Sequence, residues 1–576
     1  MNKNREIAEI FDKIADILDI LNENPFRARA YRNAGANIRE LDEDIEDLAE
    51  RGELTEIPRV GSDLAEKINE FISTGKVEYY ENLRKKVPEE LTELLEIQGL
   101  GPKTLSKLNK ELGVKNLEDL ERALKEDKIL NLRGMGRKKV EDIKRGIELF
   151  KRSRERMPLG IALPLAEEIV REIGKIPGAK GTTLAGSVRR MRETVGDIDI
   201  LTMARDGRQL VEAFTRLPFV KEVLAKGDTK GSVVLENGIQ VDLRVTEPES
   251  YGAALLYFIG SKAHNIKLRT IAMDRGLKIN EYGVFRGDKK IAGETEEEIY
   301  KTLGLQWIPP EIREDKGEIE AAQDGKLPYL VELEDINGDL HMHSKWSDGK
   351  ATVEEMALKA KELGYEYIAM TDHSPSSTIA GGLSTQRLYE KKKEVAALNK
   401  KLKGIKILMG SEVDIKSDGS LDYPDEVLRD LDIVVVSVHS GFKMDGESMT
   451  RRIVKALQNP FVHILAHPTG RLIGRREGYE VDMDEIFKTA KKYGKAIEIN
   501  SHYLRLDLND INVRKAVNMG VKIVISTDSH ARDQLNMMRL GVATARRGWA
   551  EKKDILNTMG LNEISKWLNE FGNKVV

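Results

Sequence analysis

The chain has 576 residues, too many for one compact hydrophobic core, and it has no cysteine, which excludes disulfides, thiolate zinc sites and cysteine nucleophiles. Its formal net charge is −4, with 40% hydrophobic and 33% charged residues, proportions that are typical of a globular protein and not of a disordered one. No apolar run is long enough to cross a bilayer and the charged amino terminus lacks the apolar core of a secretory signal, so we expect a cytoplasmic protein of several domains without membrane contact.

Residues 1–156 predict short helices broken by glycine turns, which we divide into segments 1–85 and 86–156. One pattern, a tight glycine turn followed at once by a new helix, occurs three times, starting at Ile57, Ile97 and Leu132. Glycine permits the turn and lets backbone N–H groups approach an anion, so such a turn would bind phosphate without reading bases. The residues that we expect to contact DNA are Gly61, Gly99, Gly101, Lys103, Gly134, Gly136 and Arg137.

These copies resemble helix-hairpin-helix motifs, and the resemblance implies binding of the DNA backbone together with Na⁺ or K⁺. The first copy departs from the pattern, because Arg59 stands at its first glycine position. The stretch Lys125–Met157 contains 12 Lys or Arg against 6 Asp or Glu. It would face a polyanion, although a solvated helix face explains the charge equally well.

Beyond residue 156, strands alternate with helices and two strands carry carboxylates. Asp197 and Asp199 are two residues apart in a strand, so their side chains share one face. Asp242 lies in a second alternating strand. Three such carboxylates would hold two Mg²⁺ (or Mn²⁺) ions that activate a hydroxyl and stabilise a leaving pyrophosphate. Taken alone, an Asp-x-Asp pair is explained equally well as a surface strand edge.

The surrounding motifs decide between these interpretations. Gly-Ser-x-Arg-Arg from Gly186, Gly-Asp-x-Asp from Gly196 and Val-Asp-x-Arg from Val241 resemble the palm of the family X DNA polymerases, the DNA polymerase beta relatives. The resemblance implies a nucleotidyltransferase palm over 157–260, with a nucleotide-binding subdomain over 261–318. The nucleotide-binding residues are then Gly186, Ser187, Arg190, Gly196, Tyr257, Phe258, Gly260, Asn265 and Arg269.

Individual roles follow in part from position and in part from the resemblance. Ser187 and Arg190, at the start of a helix, would bind the outgoing phosphates. The resemblance implies that Tyr257 and Phe258 flank the sugar. It also implies that Asn265 contacts the base edge and that Arg269 lies on the template side.

The amino-terminal segment is similar to the lyase domain of the same family. Ala65-Glu66-Lys67-Ile68 matches the segment that holds the Schiff-base lysine, which implies Lys67 as the lyase residue. The chain departs from that family at Glu78 and Tyr79, where basic residues often line the pocket. A solvated lysine on a helix is the simpler explanation of Lys67.

A segment rich in charge and proline, which we place at 319–335, predicts a linker. From Gly338 onward, strand-like apolar runs alternate with helices in about seven βα units, which predicts a parallel barrel over 336–576. The fold class is therefore multidomain α+β and α/β, with a helical amino-terminal region, a palm and a distorted (β/α)₇ barrel.

Eight of the nine histidines lie from position 341 onward. Six of them, together with three carboxylates, stand at or just beyond the ends of successive strands, where a parallel barrel collects its active site. Nine nitrogen and oxygen ligands exceed the needs of one ion and suggest two or three, which would activate water against a phosphodiester. We interpret Asp372, His463 and His502 as supporting or structural residues. The predicted ligands are His341, His343, Asp348, His373, Glu412, His439, His467, Asp528 and His530.

This set resembles the PHP (polymerase and histidinol phosphatase) domain. The resemblance implies two or three Mn²⁺ or Zn²⁺ ions, 3′–5′ exonuclease activity, and related processing of 3′ ends or abasic sites.

The whole chain therefore predicts a monomeric DNA repair polymerase that adds dNTPs in short gaps of primer-template DNA and trims ends with its barrel. Two alternatives remain: a DNA-binding nuclease whose polymerase half is only a scaffold, and a polymerase whose barrel is inert. The intact palm carboxylates weigh against the first and the intact barrel ligands against the second.

Overall fold

The computed structural model describes residues 3–21, 23–39, 41, 44–87, 89–97, 100–132 and 134–572. Contacts between Cα atoms divide the chain into two compact units, Met1–Arg154 with Gly474–Arg476, and Glu155–Ile473 with Glu477–Val576. The division lies next to the predicted boundary at residue 156. All the predicted domain boundaries stay predictions.

The first unit is helical, and its core is formed by apolar residues at helical spacing, such as Ile7, Phe11 and Ile14. Short 3₁₀ helices occur at Leu54–Glu56, Leu94–Glu96 and Lys128–Asn131. The α-helices are α1 (Lys3–Ile20), α2 (Pro25–Arg39), α3 (Ile45–Glu50), α4 (Ser62–Thr74), α5 (Glu78–Arg84), α6 (Glu89–Glu93), α7 (Pro102–Leu112), α8 (Leu117–Lys125) and α9 (Arg137–Glu155).

The described residues of the three glycine turns share one backbone hydrogen bond. In each, the fourth residue donates a 3.0 Å hydrogen bond to the carbonyl of the first, and α4, α7 or α9 begins directly after the turn glycine. Arg59 has a φ of 65°, the left-handed conformation that Gly134 adopts at 81° in the third copy. The departure at Arg59 therefore leaves the turn intact, at the cost of backbone strain that glycine avoids. The three bonds join Val60 to Ile57, Leu100 to Ile97 and Met135 to Leu132.

The second unit begins with the palm, a five-stranded sheet in the order β2-β4-β7-β6-β5, in which β4 and β7 are parallel and the other pairs antiparallel. A two-stranded ladder of β1 and β3 lies beside it. The strands are β1 (Met157–Pro158), β2 (Lys180–Leu184), β3 (Thr194–Val195), β4 (Asp197–Met203), β5 (Val220–Lys226), β6 (Lys230–Leu235) and β7 (Gln240–Thr246). The helices are α10 (Leu159–Gly174), α11 (Gly186–Arg189) and α12 (Gly207–Phe214).

A helical subdomain with a three-stranded antiparallel sheet, in the order β10-β9-β8, follows the palm. Its 3₁₀ helices are Pro248–Ser250, Pro310–Ile312 and Leu333–Asp335. Its other elements are α13 (Tyr251–Ile259), α14 (Lys262–Asp274), β8 (Lys278–Asn280), β9 (Gly283–Arg286), β10 (Lys289–Ala292), α15 (Glu296–Thr302) and α16 (Glu318–Gln323).

Part of the segment predicted as a linker packs into a core, and Glu318 just before it is buried. Ile319, Ala322 and Leu330 belong to the core of this subdomain. The carboxylate of Glu318 is buried against His264 Nδ1 at 2.7 Å. These buried apolar residues were not predicted from the sequence, because the segment is highly charged and they are too few to form a periodic pattern.

Seven parallel strands in chain order form the carboxy-terminal barrel. A bridge between Met342 and Ser529 joins its first and last strands, and the N–H of His343 donates to the Ser529 carbonyl at 2.8 Å. The strands are β11 (Gly338–Met342), β12 (Tyr367–Met370), β13 (Lys406–Asp414), β14 (Ile433–Ser437), β15 (Ile464–Leu465), β16 (Ala496–Asn500) and β17 (Lys522–Ser526).

Helices surround these strands, and α24 packs Ile564 and Leu568 against apolar residues of several strands. The 3₁₀ helices are Arg532–Met537, Lys552–Asp554 and Leu556–Thr558. The α-helices are α17 (Val353–Glu362), α18 (Thr385–Lys401), α19 (Asp425–Arg429), α20 (Gly446–Leu457), α21 (Met483–Tyr493), α22 (Asp510–Met519), α23 (Met538–Arg547) and α24 (Leu561–Gly572). Within the ranges given above, no helix has the length and apolar character that a membrane span requires.

The barrel packs directly on the palm. Arg539 pairs with Glu167 at 3.1 Å, and Arg471 pairs with Glu193 at 2.7 Å. Gly160 of α10 lies so close to another barrel residue, Tyr503, that a side chain at this glycine would overlap it.

Candidate active sites

The palm sheet places the three predicted carboxylates on one face. Strands β4 and β7 are neighbours, and Asp199 lies directly beside Asp242 in the register. Asp197 is exposed at the start of β4. Ile198 and Ile200, which alternate with them, are buried in the core behind. Strand β4 therefore has the alternation of carboxylate and buried apolar side chains that the sequence predicted.

Asp199 is the most enclosed of the three. Burial, and then the charges of Asp197 and Asp242, raise the pKa of Asp199 to about 7. Gly186, at a φ of 57°, passes so close that a Cβ there would overlap the Asp199 carboxylate. This donor set fits divalent cations, because they would bind the three oxygen ligands and relieve the repulsion between them.

A cavity of about 660 Å³ opens beside these carboxylates. It brings together most of the residues predicted to bind the nucleotide, although Gly196 and Asp242 are not among those that line it. The predicted residues in its lining are Gly186, Ser187, Arg190, Asp197, Asp199, Tyr257, Phe258, Gly260, Asn265 and Arg269.

Polar groups in this cavity are available to a ligand. The Ser187 hydroxyl and the Asn265 Oδ1 are buried, and neither has a hydrogen-bond partner in the part of the chain that the structure describes. Two contacts fix the Arg190 guanidinium. Its Nε lies 3.2 Å from Glu314 Oε1, and its Nη1 donates to the Ile259 carbonyl. A buried polar atom without a partner favours binding of a polar ligand, because leaving it unpaired is costly.

Two aromatic side chains line the same cavity. The rings of Tyr257 and Phe258 meet edge to face, with centroids 5.1 Å apart. The Arg244 guanidinium lies 5.0 Å from the Phe258 ring centroid, and Asn265 Nδ2 donates to the Tyr257 carbonyl at 2.8 Å. The aromatic pair and Asn265 are thus held together as one surface.

In the first unit, the predicted DNA-contacting glycines present open backbone. A Cβ added at Gly61, Gly101 or Gly136 would meet no atom of the described residues within 4 Å. Internal packing therefore does not require these glycines, and helices α4, α7 and α9 begin directly after them. Lys103 and Arg137 lie exposed nearby, whereas the predicted Gly99 lies outside the described residues.

The predicted lyase residue is engaged in local contacts. Lys67 Nζ lies 2.6 Å from Asp63 Oδ1 and donates to the Asp63 carbonyl at 3.1 Å. It also lies 5.7 Å from the centroid of the Tyr79 ring, which stacks on Tyr31. These contacts do not test the lyase prediction, which stays a prediction.

The predicted barrel ligands lie together at the carboxyl ends of the strands. Among the residues that the structure describes, three groups offer ligand atoms within 4.8 Å of one another, and all three belong to the barrel. The palm carboxylates are therefore spaced more widely. The groups are His343, Asp348, His373 and His530; His341, His343 and Asp528; and His373, Glu412 and His439.

The groups share members, so the ligands form one continuous cluster. His343 and His373 each belong to two groups. His373 Nδ1 lies 3.0 Å from Glu412 Oε2, yet no hydrogen bond to it forms among the described residues. His467, the ninth predicted ligand, lies with Nε2 at 2.9 Å from Glu412 Oε1. Imidazole nitrogens and carboxylate oxygens that converge in this way fit shared metal ions.

Charges in the cluster are strongly coupled in the metal-free protein. Burial, and then His530 and His373, lower the pKa of His343 to about 4. Burial opposes protonation of His373 as well, but Glu412 and Asp348 raise its pKa to about 11. Neighbouring charges therefore shift the pKa values of these two histidines in opposite directions.

Two further carboxylates, which the sequence analysis missed, orient the ligands. Glu498 accepts hydrogen bonds from His341 Nδ1 and from the His467 N–H, each at 2.7 Å. Asp414 accepts from His439 Nδ1 at 2.8 Å. Since each bond fixes the proton on Nδ1, the Nε2 of His341 and of His439 is left to bind a metal.

Asp372, His463 and His502 lie outside the three ligand groups. Asp372 accepts from the Ser344 N–H at 2.8 Å and pairs with buried Lys391 at 2.7 Å. His463 Nδ1 accepts from the Val434 N–H at 3.0 Å. These bonds support strand ends and correspond to the structural role that the sequence suggested.

A cavity of about 830 Å³ lies over the cluster. Asp348, Glu412 and Asp528 contribute to its floor, and a loop from Ser376 to Ala380 forms one wall. Arg505, also in the lining, lies 3.7 Å from Asp528 Oδ2. The space admits a nucleotide, and its walls offer hydroxyl and cationic groups suited to a phosphate.

Comparison with known proteins agrees with this division of the chain. Helix-hairpin-helix models match residues 2–77 and 91–148, the DNA polymerase beta thumb matches 254–314, and the PHP domain matches 339–502. A DNA polymerase/3′–5′ exonuclease PolX of Bacillus subtilis is 41% identical over 571 residues, which cover 98% of this chain and 99% of the relative. The chain belongs to the PolX family.

The barrel also has relatives that stand alone. A probable phosphatase of Thermoanaerobacter sp. is 32% identical over 249 residues, 41% of this chain and 96% of that protein. A probable phosphatase of Caldicellulosiruptor bescii is 34% identical over 186 residues, 31% of this chain and 72% of that protein. In the PolX family, then, a module that occurs separately elsewhere is joined to a polymerase.

Proposed function

We propose that this PolX-family protein extends DNA primer ends in short gaps through its palm and hydrolyses 3′-terminal phosphodiester bonds through its barrel. The observation that carries the proposal is the presence of two separate ligand sets, each beside its own large cavity, within one compact unit.

In the palm, Asp197, Asp199 and Asp242 would hold two Mg²⁺ or Mn²⁺ ions. Such ions lower the pKa of an attacking hydroxyl and stabilise a leaving pyrophosphate. Ser187 and Arg190 would bind the triphosphate, and their position in the lining of the same cavity supports this role. The primer 3′ oxygen would form the new bond to the α-phosphorus as the bond to pyrophosphate breaks.

Recognition of the incoming dNTP would use the other cavity walls. Tyr257 and Phe258 would contact the sugar, Asn265 Oδ1 the base edge, and Arg269 the template strand. Their common cavity and the unpaired Asn265 Oδ1 support these roles.

In the barrel, the nine predicted ligands would hold two or three Mn²⁺ or Zn²⁺ ions. Metal ions in such a cluster activate water and polarise the scissile phosphate. Glu498 and Asp414 orient the histidines, while the walls, with Arg505 and the hydroxyls at Ser376 and Ser377, would hold the DNA end. We extend the proposal to abasic-site and 3′-end processing in the same cavity.

Further parts of the proposal concern DNA and the amino-terminal unit. The open glycines would bind the backbone of gapped DNA, with Na⁺ or K⁺ in the turns, and Lys67 would act as a lyase residue. We also propose a cytoplasmic monomer. A polymerase half that served only as a scaffold would not need the carboxylates or a glycine fitted against Asp199.

The test uses a gapped DNA whose primer is labelled at its 5′ end, incubated with the full-length protein. With dNTPs and Mg²⁺ the primer should lengthen to fill the gap. Without dNTPs and with Mn²⁺ it should shorten in single-nucleotide steps, and a 3′-terminal phosphorothioate should slow the shortening. A primer that never lengthens would overturn the polymerase assignment, and one that never shortens would overturn the exonuclease assignment.

A further inference from the structure

Arg547, the last residue of barrel helix α23, reaches into the polymerase half. Its Nη1 donates to the Arg190 carbonyl at 2.7 Å and to Glu314 Oε1 at 3.1 Å. The side chain is only 5% exposed. A barrel residue therefore contacts the arginine that lines the triphosphate cavity.

These bonds hold Arg190 by both its main chain and its side chain. The Arg190 carbonyl lies at the carboxyl end of α11, the helix that also carries Ser187. The Arg190 Nε donates at 3.2 Å to the same Glu314 oxygen that Arg547 contacts. Displacement of Arg547 would thus move the backbone beneath the cavity and change the partner of the Arg190 guanidinium.

The charge around Glu314 gives the contact a second consequence. Its carboxylate is shared by Arg190, by Arg547 and, at 3.6 Å, by Arg192. Because Arg547 neutralises part of this carboxylate, the positive charge of Arg190 remains available to an anion in the cavity. Without Arg547, Glu314 would pair more completely with Arg190.

Arg547 is itself fixed from the barrel side. Asp510 of α22 accepts from its Nε at 3.1 Å and from its Nη2 at 2.7 Å. This two-point contact leaves Nη1 directed at Arg190 and Glu314. A lysine has a single charged nitrogen and would not make both sets of bonds.

We propose that Arg547 is a positioning residue of the polymerase site, through which the barrel sets the affinity of the palm for the dNTP triphosphate. The inference rests on the proposed polymerase function. It assigns the barrel a role in nucleotide binding that is separate from hydrolysis.

The test compares full-length wild type with R547K, R547A and D510N in single-nucleotide insertion at a one-nucleotide gap. Loss of a charge-assisted hydrogen bond should raise the KM for dNTP about tenfold in R547K, with kcat changing less than about twofold. The KM for dNTP should also rise in R547A, and it should rise less in D510N. Adding R547K to R190K should raise KM less than R547K does alone, because both act on one contact.

The matched control is R539A, which removes another barrel–palm ion pair, at 3.1 Å from Glu167, without touching Arg190. Its KM for dNTP should stay within about twofold of wild type. Mn²⁺-dependent shortening by R547K should equal that of wild type, which also shows that the barrel is folded. An unchanged KM in R547K and R547A, or an equal rise in R539A, would overturn the inference.

A binding measurement separates this inference from the proposed function. Mg²⁺-dATP is titrated into each variant bound to gapped DNA with a dideoxy-terminated primer. If wild type binds dATP but does not extend primers, the proposed function fails, while a weaker Kd in R547K still supports the role of Arg547. Equal Kd values, or no dATP binding by wild type, would overturn it.

Discussion

Glu498 shows how a single residue organises the barrel site without lying in any of the three ligand groups. Its two carboxylate oxygens bind the side chain of His341 and the main chain of His467, which come from different strand ends. Loss of a carboxylate that fixes a metal-binding histidine typically weakens metal binding by about 10–100-fold.

We expect E498Q to bind Mn²⁺ about 10–100-fold more weakly than wild type, because the amide carries no charge and cannot accept both bonds equally well. Elemental analysis after dialysis against limiting Mn²⁺ measures the effect, with the exposed Glu426 replaced in E426Q as the control. Full metal content in E498Q would contradict the role assigned to Glu498.

Asp199 makes metal binding by the palm dependent on pH. Since its pKa is raised to about 7 in the metal-free protein, below that pH the carboxyl holds a proton that Mg²⁺ must displace. The palm affinity for Mg²⁺ should therefore fall by up to about tenfold per pH unit below 7 and level off above it.

Calorimetric Mg²⁺ titrations in buffers of different ionisation enthalpy measure this proton release. Wild type should release close to one proton at about pH 6 and almost none at about pH 8. The D199N variant measures Mg²⁺ binding at other sites, which is subtracted, and it should not show the proton release at about pH 6. An affinity that is the same at both pH values would show that Asp199 is already ionised.

At the residue scale, the sequence predicted those functional residues that can be recognised from their type and their position in an element. Histidines and carboxylates at successive strand ends stand out because few other roles explain the whole series. Asp197 and Asp199 stand out only together with Asp242 and the Gly-Ser-x-Arg-Arg motif that begins at Gly186. Glu498 was missed because it lies in the middle of an apolar strand, and Asp414 because it ends β13 only two residues after the predicted ligand Glu412. Only the fold shows which histidine each of them faces. Arg547 was missed for a similar reason, since its partners Arg190 and Glu314 are distant in sequence.

At the scale of elements, the turns contain glycine for two different reasons. Gly134 needs its glycine for conformation, because its φ is 81°, whereas Gly101 and Gly136 have no such requirement and face open space. The first kind should matter for folding and the second for the approach of DNA.

We expect G101A and G136A to keep the melting temperature of wild type but to bind gapped DNA about three- to tenfold more weakly, as the added methyl group hinders a backbone–phosphate hydrogen bond. G134A should instead lose about 1 kcal/mol of stability, since alanine is disfavoured in the left-handed conformation. Thermal melts and fluorescence anisotropy measure the two effects. Unchanged DNA affinity in both G101A and G136A would contradict the assignment.

The elements themselves were largely predictable. Alternation in β4 and β7 and the apolar runs of the barrel strands are local patterns, so the sequence placed them correctly. The segment at 319–335 was predicted as a linker, yet its first residues belong to α16 and Ile319 packs into a core. Contacts between residues distant in sequence, such as that of the adjacent Glu318 with His264, determine how this segment packs. A local sequence pattern does not reveal such contacts.

At the scale of the whole molecule, the palm and the barrel form one compact unit with opposite chemistries. The palm would add nucleotides to a 3′ end, and the barrel would remove them. Ion pairs such as Arg471–Glu193 join the two halves near their sites. This arrangement is consistent with the chain being related to PolX of Bacillus subtilis over nearly its whole length.

The central claim is that two independent metal sites carry these two reactions, and one crossed experiment tests it most directly. D242A and the double variant H341A/H343A are each assayed on the same gapped DNA for extension and for Mn²⁺-dependent shortening. D242A should lose extension by about 100-fold or more and keep shortening, while H341A/H343A should lose shortening together with barrel metal and keep extension. Extension that persists in D242A, or loss of both activities in either variant, would contradict the account.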